Sequence, residues 1–161
     1  MAGRFLVVGI GNPQRGDDGA GRAVVAWLRG RLPEAVELAV QDGNAAGLFD
    51  GFAGAAAVWL VDACVSGQAP GTLQRFDAAA APLPEALRSC STHGLGPAQA
   101  IELARALGQL PGRCRVHVIE GAEFAPGAGL SPAVAAAVPE VGARIAGEVT
   151  AAWRATGADH A

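Results

Sequence analysis

Between Phe5 and Ile10 the chain reads Phe-Leu-Val-Val-Gly-Ile, stops at Gly11-Asn12-Pro13, and continues as Gln14-Arg15-Gly16-Asp17-Asp18-Gly19-Ala20-Gly21. So continuous an apolar run, in which β-branched and bulky side chains are interrupted by one glycine, suits a central strand buried on both faces of a parallel sheet. The glycines flanking Ile10 permit a sharp turn, and Asn-Pro is a turn dipeptide. In an open α/β sheet ligands bind in the crevice beyond the carboxyl ends of the strands, which is where this order of residues puts Asp17 and Asp18.

Three readings of the turn compete. Gly9-Ile10-Gly11 opens a dinucleotide fingerprint, but Gln14 stands at the third glycine position and two carboxylates would repel a pyrophosphate. One aspartate of the pair is expected to cap the following helix. The other is then available as a hard ligand or general base, so the two need not share a role.

The turn segment Gly9-Ile10-Gly11-Asn12, followed by Asp17-Asp18-Gly19 and Gly21, closely resembles the opening of the hydrogenase maturation endopeptidases. These enzymes trim a C-terminal peptide from the nickel-containing large subunit of a nickel-iron hydrogenase. A weaker resemblance is to bacterial peptidyl-tRNA hydrolases, which also begin with a strand and Gly-x-Gly-Asn-Pro. Those continue with a Thr-Arg-His-Asn-like segment, where this chain has Arg15-Gly16-Asp17-Asp18.

At 161 residues the whole chain, 1–161, is expected to form one domain around a single core. No apolar run approaches the ~18 residues of a membrane span. With only Arg4 ahead of the first strand no signal peptide is read, so a cytoplasmic protein without a membrane partner is expected. Net charge is −3, basic residues are scattered and Tyr is absent, which argues against nucleic acid as a partner. Cys64, Cys90 and Cys114 form no CxxC and are expected as buried reduced thiols.

Gly19 to Gly30 reads as the first helix and Val36 to Val40 as a second strand, ending at Gln41-Asp42-Gly43-Asn44. A brief helix is expected over Leu48 to Gly51. Ala55 to Val61 is a third buried strand ending at Asp62, whose carboxylate needs a partner: either backbone N–H groups of the turn or a role in the crevice. Gly67 to Pro84 reads as a surface connection holding an edge strand at Thr72 to Phe76. Ser91-Thr92-His93-Gly94 leads into a helix from Pro97 to Leu107, capped by Ser91 or Thr92. A histidine near a helix start is biased toward neutral imidazole, the metal-binding form. Arg115 to Ile119 is a further strand, in which His117 is expected to pack in or against the sheet. Ser131 is a natural N-cap with Pro132 in the first helical position, and Pro139 is expected to restart the helix. Val141, Ile145, Val149 and Trp153 form one core-facing stripe. The alternation predicts a single α/β domain, a twisted, mostly parallel sheet of about five strands with helices on both faces.

Asp18, Asp62 and His93 are thus at plausible crevice positions, and two carboxylates with one imidazole are a common divalent-metal set that leaves positions open to substrate or water. The resemblance implies more. The endopeptidase family has an acidic residue second in its Asp-Asp/Glu pair, an aspartate at the end of a later strand, and a histidine after a serine-rich turn, which fall on Asp18, Asp62 and His93. Leu130-Ser131-Pro132 matches the family's Leu-Ser-Pro, whereas Asn44 replaces a glycine of an Asp-Gly-Gly-Thr-like segment and Phe124 stands where a proline is usual. The resemblance implies a nickel-dependent, metal-assisted endopeptidase of aspartic type. Asp18, Asp62 and His93 would be both metal-ligating and catalytic, with nickel supplied by the large-subunit precursor and not permanently bound. The alternatives are a peptidyl-tRNA hydrolase-like esterase and a non-catalytic factor binding nickel or the large subunit.

Overall fold

The computed structural model describes residues 3–89 and 96–157. Its five strands are β1 (Arg4–Ile10), β2 (Glu37–Gln41), β3 (Ala55–Cys64), β4 (Leu73–Asp77) and β5 (Arg113–Glu120). The helices are α1 (Ala20–Leu28), α2 (Ala45–Phe52), α3 (Glu85–Ser89), α4 (Pro97–Ala106) and α5 (Pro132–Ala155), with a 3-10 turn at Gly16–Gly19 before α1. No helix among the described residues is long and apolar enough to cross a membrane.

The strands form one sheet in the order β2-β1-β3-β5-β4, parallel except for β4, which runs antiparallel at the edge. The expected α/β class, with about five strands in a mostly parallel sheet, is therefore correct. Successive β-strand side chains point to opposite faces, and the two cores follow that alternation. Phe5, Val7, Trp59 and Val61 pack with α1 and α5, whereas Leu6, Val8, Ile10, Val58 and Leu60 pack with α2 and α4. The stripe Val141, Ile145, Val149 and Trp153 lies in the first of these cores as expected.

Chain order reverses at β1: β2 lies on one side of it and β3 on the other, so the topological switch point falls between β1 and β3. There α1 comes very close to the sheet. A Cβ on Gly21 would stand 2.4 Å from the Val61 carbonyl oxygen and 2.6 Å from that of Ile10, so only glycine lets the helix start rest on both strand ends.

Several boundaries differ from expectation. The third strand does not end at Asp62 but runs two residues further, because Asp62, Ala63 and Cys64 pair with Val118, Ile119 and Glu120 of β5. Pro139 does not restart a helix but lies within the continuous α5, on its exposed side, where the carbonyl deprived of its N–H partner faces water. Ser131 occupies the N-cap position without a side-chain capping bond, because its hydroxyl is used elsewhere. The brief helix over Leu48 to Gly51 is the longer α2, since Asn44 caps it by accepting from Ala46 and Gly47. The expected caps of α4, Ser91 and Thr92, lie outside the described residues; Gly96 precedes that helix and its N–H donates to Gln99 Oε1 at 3.0 Å.

Candidate active site

The turn between β1 and α1 gives its two aspartates different work. Both are fully buried. Asp17 Oδ1 accepts from the Ser131 N–H at 2.7 Å, and Oδ2 accepts from the N–H groups of Ala122 and Glu123 at 2.8 and 2.9 Å and from the Ser131 hydroxyl at 2.8 Å. Burial pushes the Asp17 carboxyl up, but these bonds outweigh it and hold the group below its ordinary value. Asp17 therefore pins the loop after β5 and the start of α5 to the β1–α1 turn.

Asp18 has a different partner. Its Oδ2 accepts from the Asn12 N–H at 2.9 Å, so the turn folds back around its side chain. The wrap is tight enough to require glycine at position 11, where φ is +133° and a Cβ would lie 1.8 Å from the Asp18 carbonyl oxygen. Arg22 fixes the same turn by donating from Nε to the Gly11 carbonyl at 2.6 Å.

Asp62 is 7% exposed and shares the α2/α4 face of β3 with Leu60 and Cys64. Its Oδ1 accepts from the Ala63 N–H at 2.8 Å. It lines a small cavity of about 20 Å³ with Leu83, Leu87, Val118 and the first residues of α4, Pro97 and Ala98. The 3-10 turn holding Asp18 packs on β3, and Gly21, three residues after Asp18, rests on the carbonyl preceding Asp62. The structure thus brings Asp18 and Asp62 to the carboxyl end of the same strand pair, β1 and β3, at the switch point. His93 lies outside the described residues.

The remaining candidates are elsewhere. Asp42 is exposed and its carboxylate accepts from the Asn44 N–H at 3.1 Å, forming a local turn. His117 is buried on the opposite face, its Nε2 3.2 Å from Glu148 Oε2, an ion-pair approach without the alignment of a hydrogen bond. It packs against the sheet, as expected. Cys114 is a free, buried thiol whose pKa burial pushes up to about 12. Cys64 is half of a disulfide, in contrast to the reduced thiol expected. Phe124 packs against the α1/α5 core where the related pattern has proline.

Two structural partners escaped sequence reasoning. Ser131, read as a cap, gives Asp17 two bonds, and no spacing rule links positions so far apart. Glu120, 5% exposed at the end of β5, accepts from the Ser66 N–H at 2.8 Å and from its hydroxyl, ordering the loop after β3. The only signal was a carboxylate closing an apolar strand.

Among the described residues no three His, Cys, Asp or Glu side chains gather as a metal-binding group. The two carboxylates at the switch point are hard oxygen donors, each oriented by one backbone N–H, and suit a divalent cation that brings or receives further ligands. An open groove of about 570 Å³ adjoins this turn, lined by Asn12 to Arg15 on one side and Pro126 to Ala128 on the other.

A doubly wound α/β fold with two fixed carboxylates at its switch point defines a protein whose crevice can act on a ligand through oxygen donors. The chain belongs to the hydrogenase maturation protease family, whose profile matches residues 26–148, and it is a protease. That span includes Asp62 and His93 and begins after Asp18. Among solved structures, the hydrogenase maturating endopeptidase HybD from E. coli is 26% identical, covers 96% of this chain and 94% of its own, and superposes with a TM-score of 0.68. An endopeptidase from Escherichia coli solved in solution is 26% identical over 88% of this chain and 89% of its own, with a TM-score of 0.73. A nickel-iron hydrogenase maturation protease, HybD from Thermococcus kodakarensis, is 23% identical over 91% and 99%, with a TM-score of 0.69, and supports the fold. No curated protein sequence matches significantly.

Proposed function

We propose that this protease removes a C-terminal peptide from the nickel-loaded large-subunit precursor of a nickel-iron hydrogenase, and that it works in the cytoplasm. Family membership carries the reaction class. The observation that supports the site is that Asp18 follows β1 and Asp62 lies near the carboxyl end of β3, the two strands flanking the switch point, each carboxylate bonded by a backbone N–H.

Asp18, Asp62 and His93 are the residues that hold the substrate's nickel and are the catalytic set. Pro97 and Ala98 line the Asp62 cavity, and in the sequence His93 stands four residues before Pro97. A divalent ion there supplies Lewis-acid polarisation of the scissile carbonyl or activation of a water. The chain's contribution is positional. Two buried carboxylates whose geometry is fixed in advance need little rearrangement when the precursor docks, which is how binding becomes orientation of the bond to be cut. In this reading the nickel arrives with the substrate, so cleavage depends on a loaded precursor.

The test is Asp18→Asn and Asp62→Asn, each compared with wild type for trimming of precursor. Both are expected to stay folded and to lose trimming, along with His93→Ala. Full activity in any one of the three would remove that residue from the site.

A further inference from the structure

We infer that the open edge of β2 is the docking strand for the substrate, which pairs with it as an added strand in extended conformation. This inference rests on the proposed reading of the chain as a precursor-trimming protease.

β2 is bonded to β1 on one side only and ends the sheet. The Gln41 carbonyl accepts from the Gly11 N–H at 2.9 Å, so the backbone groups of Gln41 face β1. The N–H and C=O of one strand residue point to the same side and successive residues alternate, so Leu38 and Val40 direct theirs away from β1. Among the described residues no backbone or side-chain group bonds them there. The strand is lightly guarded for an edge: it has neither Pro nor Lys, its one charged residue, Glu37, sits at its start and is paired with Arg4 at 3.6 Å, and Val40 is 40% exposed. The opposite edge differs, since Arg75 and Asp77 of β4 are engaged in ion pairs with Glu148 and Arg115.

Two further facts choose the occupant. A protease acts on polypeptide, and an extended chain is the form that satisfies a row of outward N–H and C=O groups. The strand also points at the site. β2 is parallel to β1 and its last residue is bonded to Gly11, the residue that lets the turn close around Asp18. A peptide paired along β2 therefore leaves it at the end of the sheet where the carboxylates and the groove beside Asn12 lie.

The experiment combines amide hydrogen exchange of the full chain with cleavage kinetics, using the nickel-loaded large-subunit precursor as probe. Exchange at Leu38 and Val40 is expected to slow on adding precursor, with Glu37 and Ala39, already facing β1, changing less. Val40→Pro removes one outward N–H and leaves the β1 pairing intact. It is expected to raise KM about tenfold with kcat nearly unchanged, the size of one lost hydrogen bond, whereas Val40→Thr stays close to wild type. Cleavage without protection of β2, or a Val40→Pro enzyme with wild-type KM, overturns the edge as docking strand and leaves the trimming activity standing. Protection without cleavage supports the docking strand and overturns the proposed reaction. The absence of both overturns both. Protection that rises with protein concentration in the absence of precursor shows pairing between copies of this chain and overturns the assignment to substrate.

Discussion

Asp17 and Asp18 are adjacent, equally buried and chemically identical, yet four donors converge on the first while the second closes a turn at the switch point. Asp17→Asn would set an amide NH₂ against at least one backbone N–H, that of Ser131, and remove the charge from the other bonds, so it is expected to cost about 1–3 kcal/mol in denaturant unfolding. Ser131→Ala removes one donor and should cost about 1 kcal/mol. Because the folded-state pKa of Asp17 is depressed, its contribution is in place above the unfolded value of 3.8 and is lost as pH falls below that. The wild type should therefore lose stability in that acidic range more steeply than Asp17→Asn, and parallel curves would contradict the assignment. The sequence shows that the pair can split its roles, since a strand, a glycine turn and two carboxylates are all local. Which one turns inward is not local. It depends on Ser131, more than a hundred residues away, folding back over the turn.

At the scale of elements the buried strands are the most legible part, because β1 and β3 are apolar on both faces and neither reading depends on a partner. Asp62 was placed at a strand end by its polarity, but pairing with β5 carries the strand on to Cys64 and leaves a carboxylate inside the ladder. Pro139 misled for a related reason: a helix 24 residues long and anchored by Val134, Val138, Val141 and Ile145 can carry a proline on its wet side. Pro139→Ala should raise stability by roughly 1–3 kcal/mol, the interior-helix penalty less the entropy that proline removes from the unfolded chain. A drop in midpoint would mean that the proline fits its site without strain. Gly21→Ala should do the reverse. Its Cβ has no room between the Ile10 and Val61 carbonyls, so the switch point must open, and trimming should fall together with thermal stability.

Across the whole molecule one carboxylate ties the far face together. Glu148 of α5 takes the Arg75 guanidinium at 3.1 Å and the Arg115 guanidinium and Trp59 indole each at 3.4 Å, and meets His117 at 3.2 Å, so it joins β3, β4 and β5 under a single helix. Burial raises its pKa, but His117 and Arg75 outweigh that and hold it at about 2, against 4.5 for a free glutamate. The stability that this depression supplies is complete above about 4.5 and disappears as pH falls toward about 2. Glu148→Gln should therefore flatten acid unfolding in that window while leaving trimming at neutral pH intact, since the cluster lies under α5 and Asp62 is on the opposite face of the sheet. The central claim concerns those carboxylates and the metal that reaches them. It is tested by the intact mass of a hydrogenase large-subunit precursor after incubation with this protein, nickel-loaded in one sample and nickel-free in the other. Loss of a C-terminal peptide from the loaded sample alone is the predicted result; equal cleavage of both, or of neither, would contradict it.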